Sequence, residues 1–239
     1  MTTMYAALSS YYDDIFPLDG EMADFLIRHL PRGPVLDIGC ATGSMACHLA
    51  QYGFAPHGFD LDPAMIAAAT ARAQAAQLPA TFAVRDMRDT AASGAPGSFA
   101  GAYCVGNSLV HAPGRDAIDA LLRATATLLA PGGALALQII NYDRVLDNGV
   151  TTLPVRDTGA LLFERQYQCA GDLLRFTTRL TIRRTGEVIT DSVMLCPLRA
   201  ATLHDLLAGA GFRDIKLLGE FGEMQWSRDG YLTIALART

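Results

Sequence analysis

The stretch VLDIGCATGS, residues 35–44, limits what this chain can fold into more than any other. A short apolar run carries one acid, Asp37. It then breaks into Gly39, Cys40, Ala41, Thr42 and Gly43. The run reads as a buried strand feeding a tight loop, and residues 44–52 read as a helix. The alternation then repeats. Residues 55–59 form a second expected strand. Residues 63–77 form an alanine-rich helix opening on Pro63, where a missing N–H does no harm. Strands follow at 81–85 and 99–105. A helix at 115–129 shows its apolar stripe in Ile118, Leu121, Leu122, Leu128 and Leu129. APGG stops that helix before a strand at 134–141. Such βαβα alternation calls for an α/β fold, a parallel sheet with helices on both faces.

The period changes after residue 150. Along 174–182 the apolar residues Leu174, Phe176, Leu180 and Ile182 alternate with Arg175, Thr177, Arg179 and Thr181. Period two marks a sheet with one covered face, and Gly171-Asp172 and Thr185-Gly186 supply its turns. A helix at 198–210 and strands at 214–218 and 231–237 close the chain. Three parts are therefore expected. Residues 1–149 make an N-terminal lid and a ligand-binding core. Residues 150–197 make an inserted antiparallel cap, and 198–239 return to the core sheet.

Composition removes several classes. A net charge of −5 gives no general attraction to a phosphate backbone, so nucleic acid is not an expected partner. Five cysteines form no C-x-x-C pair, so neither a structural metal nor a disulfide scaffold is expected. No run approaches the roughly 20 apolar residues of a membrane span. The first sixteen residues lack a basic segment and a long apolar core. The expectation is a soluble cytoplasmic protein with no membrane partner.

In an open parallel sheet, ligands bind beyond the carboxyl ends of the strands, where the strand order reverses. Three features fall there in order. The glycine loop lets backbone approach a ligand. Asp60 closes the second strand and is placed to accept from both hydroxyls of a ribose. Asp86, after the third strand, is placed to accept from an exocyclic amine such as that of adenine.

This combination resembles the class I S-adenosylmethionine-dependent methyltransferases, over residues 35–141 and the final strand pair. The resemblance implies a Rossmann-like, mostly parallel seven-stranded sheet. It implies S-adenosylmethionine as cofactor and S-adenosylhomocysteine as its product. It assigns cofactor contacts to Asp37, Gly39, Ala41, Asp60, Leu61, Asp86, Met87 and Val105. Tyr11 and Tyr12 resemble the tyrosine–acid start of many members, which folds over the cofactor; Tyr12 fits that pattern better, and the resemblance sets it among the cofactor and catalytic residues and Tyr11 at the substrate. Where the family usually has a second glycine this chain has Ala41, whose methyl group costs roughly 1–2 kcal/mol if φ is positive.

YCVGNSLVHA and IINYDRV are similar to the glycine and sarcosine N-methyltransferase branch. That similarity places Asn107 near the transferred methyl and His111 as proton acceptor or substrate guide. It assigns Asn141 and Tyr142 to the substrate. Trp226 lies in a loop expected to overhang the substrate mouth. The branch's carboxylate-gripping arginine is replaced by Ile140, which leaves Arg144 as the only nearby cation in sequence. A larger, less anionic acceptor than glycine is therefore expected. The reading is methyl transfer to a small molecule, at nitrogen before oxygen. An O-methyltransferase using His111 as base, a nicotinamide oxidoreductase and a non-catalytic cofactor-binding protein remain alternatives. The cap sheet is the candidate face for a homodimer.

Overall fold

The computed structural model describes residues 10–239. The first nine residues of the expected lid lie outside them. Among the described residues eleven strands form two sheets. The larger contains β1 (Gly33–Ile38), β2 (Phe54–Asp60), β3 (Thr81–Val84), β4 (Phe99–Cys104), β5 (Leu129–Ile140), β10 (Arg213–Leu218) and β11 (Leu232–Arg238), in the order β10-β11-β5-β4-β1-β2-β3. The β1–β5 pairs are parallel, and β11 runs antiparallel to both β5 and β10. The expected mostly parallel seven-stranded sheet is therefore present. The strand order reverses at β1, which pairs with β2 on one side and β4 on the other.

The helices are α1 (Tyr12–Ile15), α2 (Gly20–His29), α3 (Ser44–Ala50), α4 (Pro63–Ala75), α5 (Arg115–Leu128), α6 (Tyr142–Asp147) and α7 (Ala200–Gly209). Asp62 caps α4 by accepting from the amides of Ala64 at 2.7 Å and Met65 at 3.4 Å, with Pro63 at the first helical position. In α5 the residues Ile118, Leu121, Leu122, Thr125 and Leu128 are buried, three or four apart as a single packed face requires. That face joins Leu36, Leu135 and Leu137 of the sheet and Leu203 and Leu207 of α7 in one core. On the other face Phe25 and Leu26 of α2 and Leu49 of α3 pack with Val35, Tyr103 and Ile234.

APGG is not the clean break the sequence suggests. Leu129 already pairs with Phe99, and the register shifts before Ala134 meets Gly101. The segment is an irregularity inside β5, so the last helical residue runs straight into the strand.

The second sheet has the order β6-β7-β8-β9, all antiparallel: β6 (Arg156–Asp157), β7 (Leu161–Ala170), β8 (Leu173–Ile182) and β9 (Glu187–Leu195). The period-two reading holds along β8. Leu174, Leu180 and Ile182 are buried, while Arg175 and Arg179 are exposed, as is Arg183 just beyond the strand. Arg179 and Arg183 pair on the solvent side with Glu164 and Asp157 at 2.8 and 2.6 Å. A third core joins the inner face of this sheet to the rest. Leu161, Phe163, Leu180 and Ile182 close on Ile15 of α1 and Met65 of α4, with Tyr11, Tyr12, Phe16 and Ala41 against them. The N-terminal segment is thus held between the cap sheet and the glycine loop.

Gly43 shows how tightly the entrance to α3 is set. Its φ is +70°, and a Cβ there would lie 2.8 Å from both Ala69 Cβ and the Phe82 ring. Gly43→Ala combines left-handed strain with overpacking and is expected to cost about 2–4 kcal/mol. Urea unfolding reads this, and an unchanged midpoint would mean that the loop has room the structure does not show.

Candidate functional site

The carboxyl ends of β1 to β5 carry the chemistry. Asp37 sits within β1, buried, with the Tyr103 hydroxyl donating to its Oδ2 at 2.8 Å. The bond follows from register, since Asp37 and Tyr103 are direct partners across β1 and β4. Burial raises the Asp37 pKa to about 7, the tyrosine hydroxyl opposes the rise, and the Asp60 charge adds to it. A desolvated carboxyl with one hydroxyl donor and no cation is a group that a cationic ligand would stabilise.

The loop beyond Asp37 is tied to β2. The amides of Gly39 and Cys40 both donate to the Phe59 carbonyl at 2.9 Å. Asp60 accepts from the Ala41 amide and from the Asp62 amide, each at 3.0 Å, one per carboxylate oxygen. Burial raises its pKa, and those two amides oppose the rise. Each Asp60 oxygen keeps acceptor capacity for a further donor. Ala41 adopts φ +47°, so the left-handed cost anticipated for its methyl group applies. The Gly39 φ is +78°, and a Cβ there would stand 3.0 Å from Ser108. Loop and Ser108 beyond β4 therefore approach closely enough that a side chain here would press on Ser108, in addition to the left-handed strain.

Asp86 caps the 3₁₀ turn Met87–Ser93 through the Arg88 amide at 2.9 Å and pairs with the Arg88 guanidinium at 2.7 Å. The hydrogen bonds and charge of Arg88 lower its pKa. It borders an open groove of about 570 Å³ with Val84 and Arg88. Leu61 is 66% exposed at the end of β2. Met87 packs on the main core, and Val105 is half-buried with its carbonyl accepting from Ser108 Oγ at 2.9 Å.

The N-terminal contact is made by a residue that the tyrosine reading passed over. Asp13 accepts from Thr42 Oγ1 at 2.6 Å and forms an ion pair with Arg72 of α4. It latches α1 onto the glycine loop. Tyr12 stacks on Phe16 with ring centroids 5.1 Å apart, and Tyr11 and Tyr12 pack into the third core.

On the acceptor side, several sequence assignments take on structural roles. Asn141 is fully buried. Its Oδ1 caps α6, and its Nδ2 donates to the carbonyls of Ser227, Arg228 and Gly230 at 3.0–3.1 Å. These contacts give Asn141 a capping and loop-anchoring role inside the protein. Tyr142 is also fully buried, sharing a hydroxyl–amide pair with Asn107. It is a supporting residue rather than a surface contact. Asn107 sits at φ +68°, and its Oδ1 accepts from the Ile140 amide at 3.0 Å. It locks the ends of β4 and β5 together. Gln138 does the same for the neighbouring residue, accepting from the Gly106 amide at 2.7 Å.

His111, on the 3₁₀ turn Ser108–His111, faces Phe176 of the cap edge-on at 6.5 Å. Desolvation lowers its pKa to about 4. Tyr167 bridges this group, its ring 5.4 Å from Phe176 and 6.3 Å from Tyr142. Arg144 lies 5.8 Å from the Tyr231 ring. The Trp226 indole donates to Thr233 at 3.0 Å, which pins its loop to β11. Among the described residues no cluster of three or more His, Cys, Asp or Glu is placed to hold a metal, and no helix is long and apolar enough to cross a membrane.

This sheet order, with a ligand edge at the β1 reversal and an antiparallel cap above it, is the fold of the S-adenosylmethionine-dependent methyltransferases. Over 99% of both chains it superimposes on such an enzyme from Clostridium acetobutylicum with a TM-score of 0.83 at 16% identity. A sugar N-methyltransferase of Streptoalloteichus gives a TM-score of 0.72 at 22% identity, covering 96% of this chain and 92% of that one. Residues 35–133 match the family model described as a methyltransferase domain. Among curated proteins, the ubiquinone biosynthesis O-methyltransferase of Xanthomonas campestris is 35% identical over 112 residues, 47% of this chain and 45% of that enzyme. The chain spans about half the length of the curated relatives it matches.

Asn141→Ala separates a structural role from a substrate role. Losing the α6 cap and three buried carbonyl contacts is expected to cost about 2–4 kcal/mol in denaturant unfolding. A fully stable variant that lost only acceptor binding would support the substrate assignment instead.

Proposed function

We propose that this protein is an S-adenosylmethionine-dependent methyltransferase acting on a small molecule, at an amine nitrogen. One observation carries the reading. Asp37, the glycine loop and Asp60 meet at the sheet's reversal point, where a buried carboxyl without a cation faces an approach that a Cβ would close. The fit to the cofactor is chemical. Asp37 suits the ammonium and sulfonium charges of its methionine end, and the free acceptor capacity of Asp60 suits the ribose hydroxyls. Asp86 and Leu61 fit the adenine end. When bound, the cofactor supplies an electrophilic methyl group, whose sulfur loses its positive charge as the methyl leaves.

What the chain must do is hold an acceptor in line and keep water out. Well-oriented reactants reach effective molarities of about 10⁵–10⁸ M, so positioning does most of the chemistry. The aromatic group of Tyr167, Phe176 and His111 supplies an apolar wall beneath the cap. The matched domain and the methyltransferase fold support the class. The likeness to a sugar N-methyltransferase supports nitrogen, and the ubiquinone-pathway relative is named for oxygen.

The choice of nitrogen rests on His111. A general base works best with a pKa near the working pH, and a ring held at about 4 is a weak one. An amine that arrives neutral needs no such base. His111→Ala is therefore expected to slow an amine acceptor less than about tenfold, with the loss shrinking as pH rises through the amine's own pKa. A loss of about 10²–10⁴ that high pH does not relieve would identify a hydroxyl acceptor instead. The acceptor is found by incubating the protein with methyl-labelled S-adenosylmethionine and cell extract and following the label by mass spectrometry. Labelled product also separates an enzyme from a cofactor-binding protein.

Cofactor binding is tested by calorimetry. Asp60→Ala is expected to weaken S-adenosylmethionine about ten- to a hundredfold, the loss of charge-assisted bonds worth roughly 1.5–3 kcal/mol. Asp37 adds a pH signature. Below about 7 the empty site holds a proton that a cationic ligand must displace. Affinity is therefore expected to fall as pH drops from 8 to 6, by up to about tenfold per pH unit once below the Asp37 pKa. Preference for NADH, or pH-independent binding with Asp60→Ala unchanged, would overturn the assignment.

A further inference from the structure

β7 carries a charge in the middle of its apolar face. Leu161, Phe163 and Tyr167 point inward and are buried, and Arg165 lies on the same face between Phe163 and Tyr167. Its cross-strand partner on β8, Thr178, is also buried, and Asp191 of β9 ends the same row. The Arg165 guanidinium lies among Phe16, Phe163 and Pro154, where the N-terminal segment meets the cap. It lies 5.9 Å from the Phe16 ring and 5.8 Å from the Phe163 ring, and one Nη donates to the Pro154 carbonyl at 2.8 Å. Its Nε is buried without a hydrogen-bond partner.

A second guanidinium shares the place. Arg156 lies 4.9 Å from the same Phe16 ring and donates to the Ile15 carbonyl at 3.0 Å. Arg144 lies against Tyr231, whose carbonyl accepts from the Asn141 amide at the end of β5. Among the described residues none of these three arginines makes an ion pair. The Arg165 pKa is lowered, by burial first and by the neighbouring Arg156, with the polar Tyr231 and Tyr167 opposing. A half-buried guanidinium that makes no ion pair among the described residues is costly, and an anion placed beside Arg165 relieves that cost.

We propose that the acceptor carries an anionic group, a carboxylate or a phosphoryl, which Arg165 binds from the cap with Arg156 beside it. This rests on the methyltransferase reading and names its substrate class. It reverses the expectation drawn from Ile140, since the cation absent from the end of β5 is supplied by the facing sheet. The planar guanidinium of Arg165, with its Nε unmet, offers the forked donor geometry that such oxygens accept.

The test uses the full chain with arginine Nε labelled with ¹⁵N, alone and saturated with S-adenosylhomocysteine. Benzoate and phenyl phosphate are the probes, and benzamide is the neutral control. Either anion is expected to shift the Arg165 Nε–H resonance, and benzamide is not. The tighter of the two anions names the group. Arg165→Met is expected to weaken anion binding about ten- to a hundredfold, and Arg175→Met, on the outer face, to leave it unchanged. Anions that fail to move the Arg165 resonance, or that bind Arg165→Met equally well, overturn the proposal. If Arg165→Met does not fold, the wild-type titration still decides. Absent S-adenosylhomocysteine binding would count against the methyltransferase reading, while the titration of the chain alone reads the anion site separately.

Discussion

The ligand edge depends on β1 being paired on both sides at once. Its register sets Asp37 opposite Gly58 on β2 and Tyr103 on β4. The first pairing ends where the Gly39 and Cys40 amides turn onto the Phe59 carbonyl, which fixes the loop within reach of Asp60. The second brings the Tyr103 hydroxyl onto the Asp37 carboxyl. A slip of one residue would turn Asp37 to the opposite face of the sheet. It would lose the tyrosine and with it the one donor that makes its burial tolerable. The loop, Asp37 and Asp60 are therefore not three separate adaptations. They follow from a single register.

The fold was legible because its signals are periodic. Strand–helix alternation, the apolar stripe of α5 and the period-two run of β8 each repeat often enough to read without partners. Acids at strand ends were legible for a related reason, since topology alone brings the ends of parallel strands to one edge. Polar residues with private partners were not. Asn141 and Tyr142 carry the letters of a substrate motif, but their partners lie in a loop 86 residues or more away and at Asn107, 35 residues back. No pattern in the chain announces those contacts. Asp13 escaped for the same reason, its partners Thr42 and Arg72 being distant in sequence.

Arg165 is the instructive case, because a signal for it was present. LLFERQYQC alternates, and its inward set reads leucine, phenylalanine, arginine, tyrosine. An arginine on the covered face of an antiparallel sheet breaks the binary pattern, and such breaks fall preferentially at functional sites. Looking for a cation only beside Ile140 missed it, because proximity to the end of β5 was judged along the chain. The cap returns over that end from 25 residues further on.

The site then has a division of charge that fits the proposed chemistry. The floor, made by the parallel sheet, is acidic: Asp37, Asp60 and Asp86 line the strand ends. The proposed anion site lies in the cap, where Arg165 and Arg156 flank Phe16. Between them lie groups neutral at pH 7: His111, whose pKa desolvation lowers, and the phenols Tyr142 and Tyr167, whose pKa values burial raises further. A cationic donor and an anionic acceptor would each be drawn to its own wall and meet over the neutral middle. Transfer of a methyl from sulfonium to a neutral nucleophile moves positive charge away from the floor. A middle zone without fixed charge avoids holding that charge at either end, and the dry aromatic contacts there keep water from competing as nucleophile.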